Sequence, residues 1–313
     1  MSRAHHAPAH ALSLVAAAAC WGTATAISKR AVDEIQPLTL LPIQLAVSVL
    51  ALGIAVLVTR ARLTWTPEHR HLGLLGILNP GIAYALSLAG LARITASTSV
   101  LLWAIEPILI LAIAYIVLKD KVSTPPAICA GTALAGVILV VFQPVTQASM
   151  TGIALTVAGV GACATYTVLS TEFLADASSL SVVLAQQVAA LVFAFALLGA
   201  SFVGGDPTSL TGVSTTAWAS AVTAGVLYYA LAFWFYINGL RGLRPGFAGM
   251  FINLIPVFGL TASYFFLDEQ LTSRQWFGAA IILVSVVTVA RLKSTASSTA
   301  TGPVAHGSGQ ELA

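Results

Sequence analysis

Residues 96–118 read ASTSVLLWAIEPILILAIAYIVL, a run of 23 residues with a single formal charge at Glu106. A helix rises about 1.5 Å per residue, so about 20 apolar residues cross the roughly 30 Å hydrocarbon core of a bilayer. This run is long enough to span one, and far longer than the roughly 9–11 residues that a membrane β-strand needs. The rest of the chain repeats the pattern. Apolar runs lie near 11–28, 37–59, 72–91, 96–118, 125–142, 150–170, 179–203, 217–240, 246–267 and 274–291, and the connectors hold nearly all the charge. The expectation is an all-α integral membrane protein of ten transmembrane helices. Short tails flank them, residues 1–10 in front and a disordered, Ser/Thr/Ala/Gly-rich 292–313 behind.

Composition agrees. The 313 residues are 58% hydrophobic and 8% charged, against about 25% charged in a soluble domain. Fourteen basic and eleven acidic side chains cannot cover a water-facing surface of this size. A soluble enzyme and a disordered chain are thereby excluded. A net charge of +3 over the whole chain is no footprint for nucleic acid. Cys20, Cys129 and Cys163 lie in apolar segments, which gives neither a disulfide framework nor a zinc site. The histidines (His5, His6, His10, His69, His71 and His306) fall in expected tails or a loop, so no metal site and no cofactor are expected. The first run has Arg3 before it, as a secretory signal would. It continues past Cys20 to Ile27 with no soluble domain behind it, and is expected to be a span.

Basic residues in short loops orient such a chain. With the N-terminus inside and ten spans, the inside set is Arg3, Arg60, Arg62, Arg70, Lys119, Lys121, Arg241, Arg244, Arg291 and Lys293. The outside set is only Lys29, Arg30, Arg93 and Arg274, so both termini are expected in the cytoplasm of a multi-pass plasma or bacterial inner-membrane protein.

The two halves resemble each other. Moving residues 90–123 forward by 149 positions sets Gly90-Leu91 on Gly239-Leu240, Pro107 on Pro256, Leu111 on Leu260, Tyr115 on Tyr264 and Leu118 on Leu267. Asp120 meets Glu269, each 13 residues after its proline. The expected organisation is one five-helix repeat over 11–142 and a second over 150–291. Five spans is an odd number, so the second repeat enters the membrane inverted. Inverted repeats are the mark of secondary transporters, with a substrate site near the midplane between the halves.

Several segments also resemble the EamA family of the drug/metabolite transporter superfamily. They are Trp21-Gly22, Ala96-Ser97-Thr98-Ser99 through Glu106-Pro107, Leu118-Lys119-Asp120-Lys121-Val122-Ser123 and Leu267-Asp268-Glu269-Gln270-Leu271-Thr272. The resemblance covers essentially the whole chain. It implies a ten-helix inner-membrane carrier, mostly an exporter of amino acids or other small metabolites, with a central cavity lined by spans one, three, four, six, eight and nine. Two positions depart from the family pattern: Gln44 stands where an arginine is common, and Asp120 where glutamate is usual.

Glu106 is the one ionisable residue deep in a span. A carboxylate there costs on the order of 2.5–3.5 kcal/mol on insertion scales, so it should face a cavity or a partner. It is either a proton-coupling or amine-binding acid, or a glutamic acid bonded to a neighbouring helix near carbonyls that Pro107 frees. Helical spacing puts Ser99, Trp103 and Glu106 on one face of span four. Comparable faces carry Trp21, Thr25 and Ser28 on span one, Cys163, Tyr166, Thr167 and Ser170 on span six, and Tyr229, Phe233 and Tyr236 on span eight. Asn79 and Tyr84 in span three, Gln186 and Gln187 in span seven and Asn253 in span nine add polar groups. For any one of these, helix–helix bonding is the commoner role. The candidate substrate-binding or coupling set is Glu106, Trp103, Ser99, Trp21, Thr25, Asn79, Tyr84, Tyr166, Tyr229, Tyr236 and Asn253. Pro80, Pro107 and Pro256 are candidate helix breaks and hinges.

No Lys or Arg lies mid-span, so a site for phosphorylated sugars is excluded, and no nucleotide-binding loop supports direct ATP drive. The expected function is secondary active export of a small metabolite, such as an amino acid or amphipathic compound, with protons as a coupling partner through Glu106. It is not enzymatic, and a monomer suffices for it. The competing class is a non-transporting membrane scaffold or an integral-membrane enzyme.

Overall fold

The computed structural model describes residues 7–61, 63, 67–117, 124–141, 149–170, 179–204, 210–240, 251 and 254–299. Among them the chain is helical, with short connectors and no strand. In order come α1 (Ala7–Val32), α2 (Pro37–Thr59), α3 (Pro67–Leu74), α4 (Ala83–Leu91), α5 (Ala96–Trp103), α6 (Glu106–Val117) and α7 (Thr124–Val141). Then follow α8 (Met150–Ser170), α9 (Ser179–Val203), α10 (Thr215–Ala224), α11 (Ala232–Leu240), α12 (Ile255–Leu267) and α13 (Ser273–Thr299). Seven stretches are long and apolar enough to cross a membrane: Ala9–Val32, Pro37–Thr59, Arg70–Leu91, Ala96–Val117, Met150–Ser170, Leu180–Val203 and Thr215–Gly239. Gly131–Val140 and Ile255–Leu267 are apolar helices of shorter length.

Several elements differ from expectation. Helix α1 begins at Ala7, where Pro8 costs no hydrogen bond in a first turn, so His10 is helical rather than in a tail. His71 likewise lies in α3. The last helix runs to Thr299, past the expected end of span ten at 291. Spans three, four and eight are not continuous α-helices. Span three passes from α3 through a 3-10 turn (Leu75–Ile77) and a wide π-helical turn (Leu78–Ile82) into α4. There Asn79 takes an extended φ of −142° and ψ of 115°, because Pro80 brings no N–H to the helix ladder. Span four breaks at Ala104-Ile105, one turn before Pro107, and α6 starts at Glu106. Span eight widens at Gly225–Leu231 without any proline.

The breaks recur at the 149-residue interval: 78–82 falls within Gly225–Leu231, and the α6 start at Glu106 corresponds to the α12 start at Ile255. The packing pairs recur as well. Helix α4 lies on α8 as α11 lies on α1. Helix α6 lies on α8 as α12 lies on α1. Helix α9 crosses α3 and the 75–82 turns as α2 crosses the 225–231 turn. Two pairs (α2 with α9, α7 with α13) map onto themselves. Two apolar cores result, one around Leu41, Leu45, Tyr84 and Tyr229 and the other around Leu101, Leu102, Val160 and Ile282. Leu57, Ile116, Val192 and Phe265 project outward and exposed, the surface lipid accepts and water does not.

At one end of the bundle polar groups tie these elements together. Lys29 pairs with Asp33 at 2.7 Å and donates to the Leu91 carbonyl at 3.1 Å. The Arg30 guanidinium donates to the Phe266 carbonyl. Glu269 accepts from the backbone N–H groups of Ala96 and Ser97, both at 2.8 Å, which places a carboxylate on the first turn of α5. Thr95 completes that cap by accepting from the Thr98 N–H at 3.1 Å. Glu34 does the same for α10, accepting from the Ser214 N–H and hydroxyl at 2.7 Å each. The Ser214 backbone and side-chain bonds hold the Glu34 carboxyl below its ordinary range. A depressed carboxyl stabilises the fold above its unfolded pKa of about 4.3 and loses that contribution as pH falls through its folded value. Glu34→Gln should therefore melt slightly below wild type at neutral pH, and the gap should narrow as pH falls below the unfolded value of about 4.3 in detergent melts.

Candidate functional site

Spans one, three, four and eight come together in the bundle. A narrow cleft opens there, lined by Thr25 and Ser28 of α1, Tyr84, Ser87, Leu88 and Leu91 of α4, Ser99 and Trp103 of α5, and Tyr228 and Tyr229 of the 225–231 turn. Its free space holds little more than a water molecule, so a larger ligand must part these walls. Thr25, Tyr84, Ser99, Trp103 and Tyr229, expected from the sequence, thus come together here.

Tyr84 is the hub of the cleft. Its ring centroid lies 5.6 Å from Trp103, 4.9 Å from Tyr228 in an edge-to-face arrangement, and 5.0 Å from Tyr229. Phe233, 6.4 Å from Tyr84, extends the aromatic wall to Trp21, which meets Phe233 and Tyr236 at 5.4 Å each. Such pairs add about 0.5–1.5 kcal/mol beyond burial, enough to hold the rings in register. The Thr25 hydroxyl donates to the Trp21 carbonyl at 3.0 Å and stands 3.5 Å from the Tyr228 hydroxyl. Gln44 donates to Ser28 at 3.1 Å. The Ser87 hydroxyl and the Trp21 indole nitrogen are buried without a partner.

Glu106 does not line the cleft itself. It opens α6 three residues beyond Trp103, where the Cys163 thiol donates to its carboxylate at 3.3 Å. The Thr167 hydroxyl, one turn further along α8, donates to the Cys163 carbonyl at 3.1 Å. Trp21 and Tyr236 belong to the aromatic wall rather than to the cleft lining. Tyr166 lies apart from the cleft and accepts from the Gln186 amide at 2.8 Å. Asn79 is buried with an unpartnered amide oxygen in the widened turn, outside the lining. Pro80 sits in that turn, while Pro107 and Pro256 are the second residues of α6 and α12. Asn253 lies outside the described residues.

Ser87, Tyr228 and the caps made by Glu34 and Glu269 were not legible as functional positions. One signal pointed at span six. Moving residues 20–28 (CWGTATAIS) forward by 142 positions gives residues 162–170 (ACATYTVLS), where Thr23, Thr25 and Ser28 fall on Thr165, Thr167 and Ser170, and Trp21 on Cys163. The same interval carries Gln44 to Gln186. Gln44 packs its backbone on Gly225, and Gln186 packs its own on Gly76. The side chain that bonds Glu106 and the cleft hydroxyl Thr25 therefore sit on corresponding faces of α8 and α1.

Comparison with known proteins falls on the same boundaries. The sequence profile of the EamA-like transporter family matches residues 9–142 and again residues 150–291. The chain is 25% identical over 222 residues to the uncharacterized transporter YyaM of Bacillus subtilis, covering 69% of this chain and 70% of that protein. It is 25% identical over 283 residues to an uncharacterized transporter of Archaeoglobus fulgidus, covering 87% of this chain and 95% of that protein. A solved crystal structure superposes with a TM-score of 0.65 at 15% identity, over 92% of this chain and 99% of the other, and shares the fold.

Proposed function

The chain belongs to the EamA-like transporter family, a multi-pass membrane transporter, and on that premise we propose that it is a secondary active exporter of a small metabolite. Its class would be an amino acid or an amphipathic compound, moved across the plasma or inner membrane. Two inverted five-helix repeats, 11–142 and 150–291, alternate access to a shared site, with both termini cytoplasmic. Glu106 carries the coupled proton. The observation that supports this best is a cleft of uncharged hydroxyls and rings near one half-buried carboxylate, in a bundle whose helix breaks recur at a fixed interval. Backbone breaks at membrane depth are tolerated only against protein or a water-filled path.

Two measurements test it. Reporter fusions at residue 5 and residue 310 should both read cytoplasmic, and a C-terminal fusion reading outside would refute ten inverted spans. In reconstituted vesicles, a metabolite that stabilises the detergent-purified protein should move with saturation, and Trp103→Ala should remove most of that flux. Undiminished flux in Trp103→Ala would move the site away from this cleft.

A further inference from the structure

The aromatic wall and Glu106 share an electrostatic sign. Ring faces carry negative potential, and a carboxylate adds a full charge. Nothing described around them offsets it: the hydrogen bond to Glu106 comes from a neutral thiol. Lys29, which donates to the carbonyl of the cleft residue Leu91, is already paired with Asp33. An anion entering this site would meet rings, neutral hydroxyls and a carboxylate. A zwitterion would leave its own carboxylate without a cationic partner in a place that excludes water. A monocation would instead find Glu106 as its counter-ion and the Tyr84 and Trp103 rings beside it.

We propose that the substrate class is an organic monocation, an amine or quaternary ammonium carrying an apolar or aromatic body. The ammonium group sits between Glu106 and the ring faces, and the body lies in the cleft among Tyr228, Tyr229 and Leu88. The unpartnered Ser87 hydroxyl and Ser99 are positioned to bond a polar substituent on that body. This rests on the transporter reading and narrows it, setting zwitterionic amino acids aside.

The test uses three aromatic probes of similar size and different charge: benzyltrimethylammonium, phenylalanine and phenylacetate. Binding to the detergent-purified full chain is read from tryptophan fluorescence, and flux from loaded vesicles. Benzyltrimethylammonium should bind at least about 30-fold more tightly than the other two, and Glu106→Gln should weaken it by about 30-fold, as loss of a buried counter-ion does. Tyr84→Leu should weaken it about fivefold or more through the lost ring face, and Trp103→Leu serves the same purpose at a less buried position. Phenylalanine or phenylacetate binding as tightly as the cation overturns the assignment, and so does cation binding indifferent to Glu106→Gln. Saturable flux of phenylalanine without cation binding would refute the substrate class and keep the transporter. Glu106-dependent cation binding without flux of any probe would do the reverse, and absence of both would refute both.

Discussion

Glu106→Gln should yield a folded protein that has lost most of its flux and all pH dependence of what remains. Among the described residues the other acids whose surroundings are known, Asp33, Glu34, Asp268 and Glu269, lie in connectors at the bundle end. None of them can take over a proton held beside Cys163. Glutamine has the same shape and still accepts from the Cys163 thiol, so stability should change by no more than about 1 kcal/mol. The measurement is initial flux in vesicles at a series of external pH values, with a circular-dichroism melt as the fold control. An unchanged pH profile in the variant would remove Glu106 from proton coupling and leave it a role in binding or packing.

Gly76→Ala and Gly225→Ala should each destabilise the bundle on the order of 1–3 kcal/mol, as overpacking of a close contact does. A Cβ on Gly76 would lie 2.5 Å from the Gln186 Cα, and one on Gly225 would lie 2.8 Å from the Gln44 carbonyl oxygen. These obstacles are backbone, so relief requires moving a helix. Gly53 is the control: nothing lies within 4 Å of its added Cβ, and it stands in the middle of α2. Gly53→Ala should be neutral or stabilising by up to about 1 kcal/mol through helix propensity. Detergent melts and monodisperse yield separate the three. If Gly76→Ala behaves like Gly53→Ala, the crossing of span three over span seven is looser than the structure has it.

Much of this was legible because lipid imposes simple rules. A run such as 96–118 declares a span by length alone, and Glu106 stands out because charge is so scarce there. Pro80 and Pro107 marked two of the three breaks. The wide turn at 225–231 escaped notice because no proline announces it, only Gly225 and a string of apolar and aromatic residues. The correspondence of spans one and two with six and seven escaped for a different reason. It runs at 142 positions rather than 149, because the chain between spans seven and eight is seven residues longer than that between spans two and three. A single rigid shift aligns only one side of such an insertion. The matching residues there are Thr, Ser and Gln, whose coincidence in sequence gains meaning once their helices are seen to pack alike. Tyr228 read as bulk because its hydroxyl acquires a role only across helices, against Thr25.

The mated packing has an energetic corollary. In a carrier that exchanges two conformations by swapping the roles of its halves, each helix contact given up on one side is remade by its counterpart on the other. The framework then comes close to isoenergetic, and it holds no preference for facing in or out. Any bias must arise where counterparts differ: Glu106 against Ile255, Cys163 against Trp21, Asp120 against Glu269. The helices set what the machine can do, and a few unlike side chains decide which way it rests when no gradient acts on it.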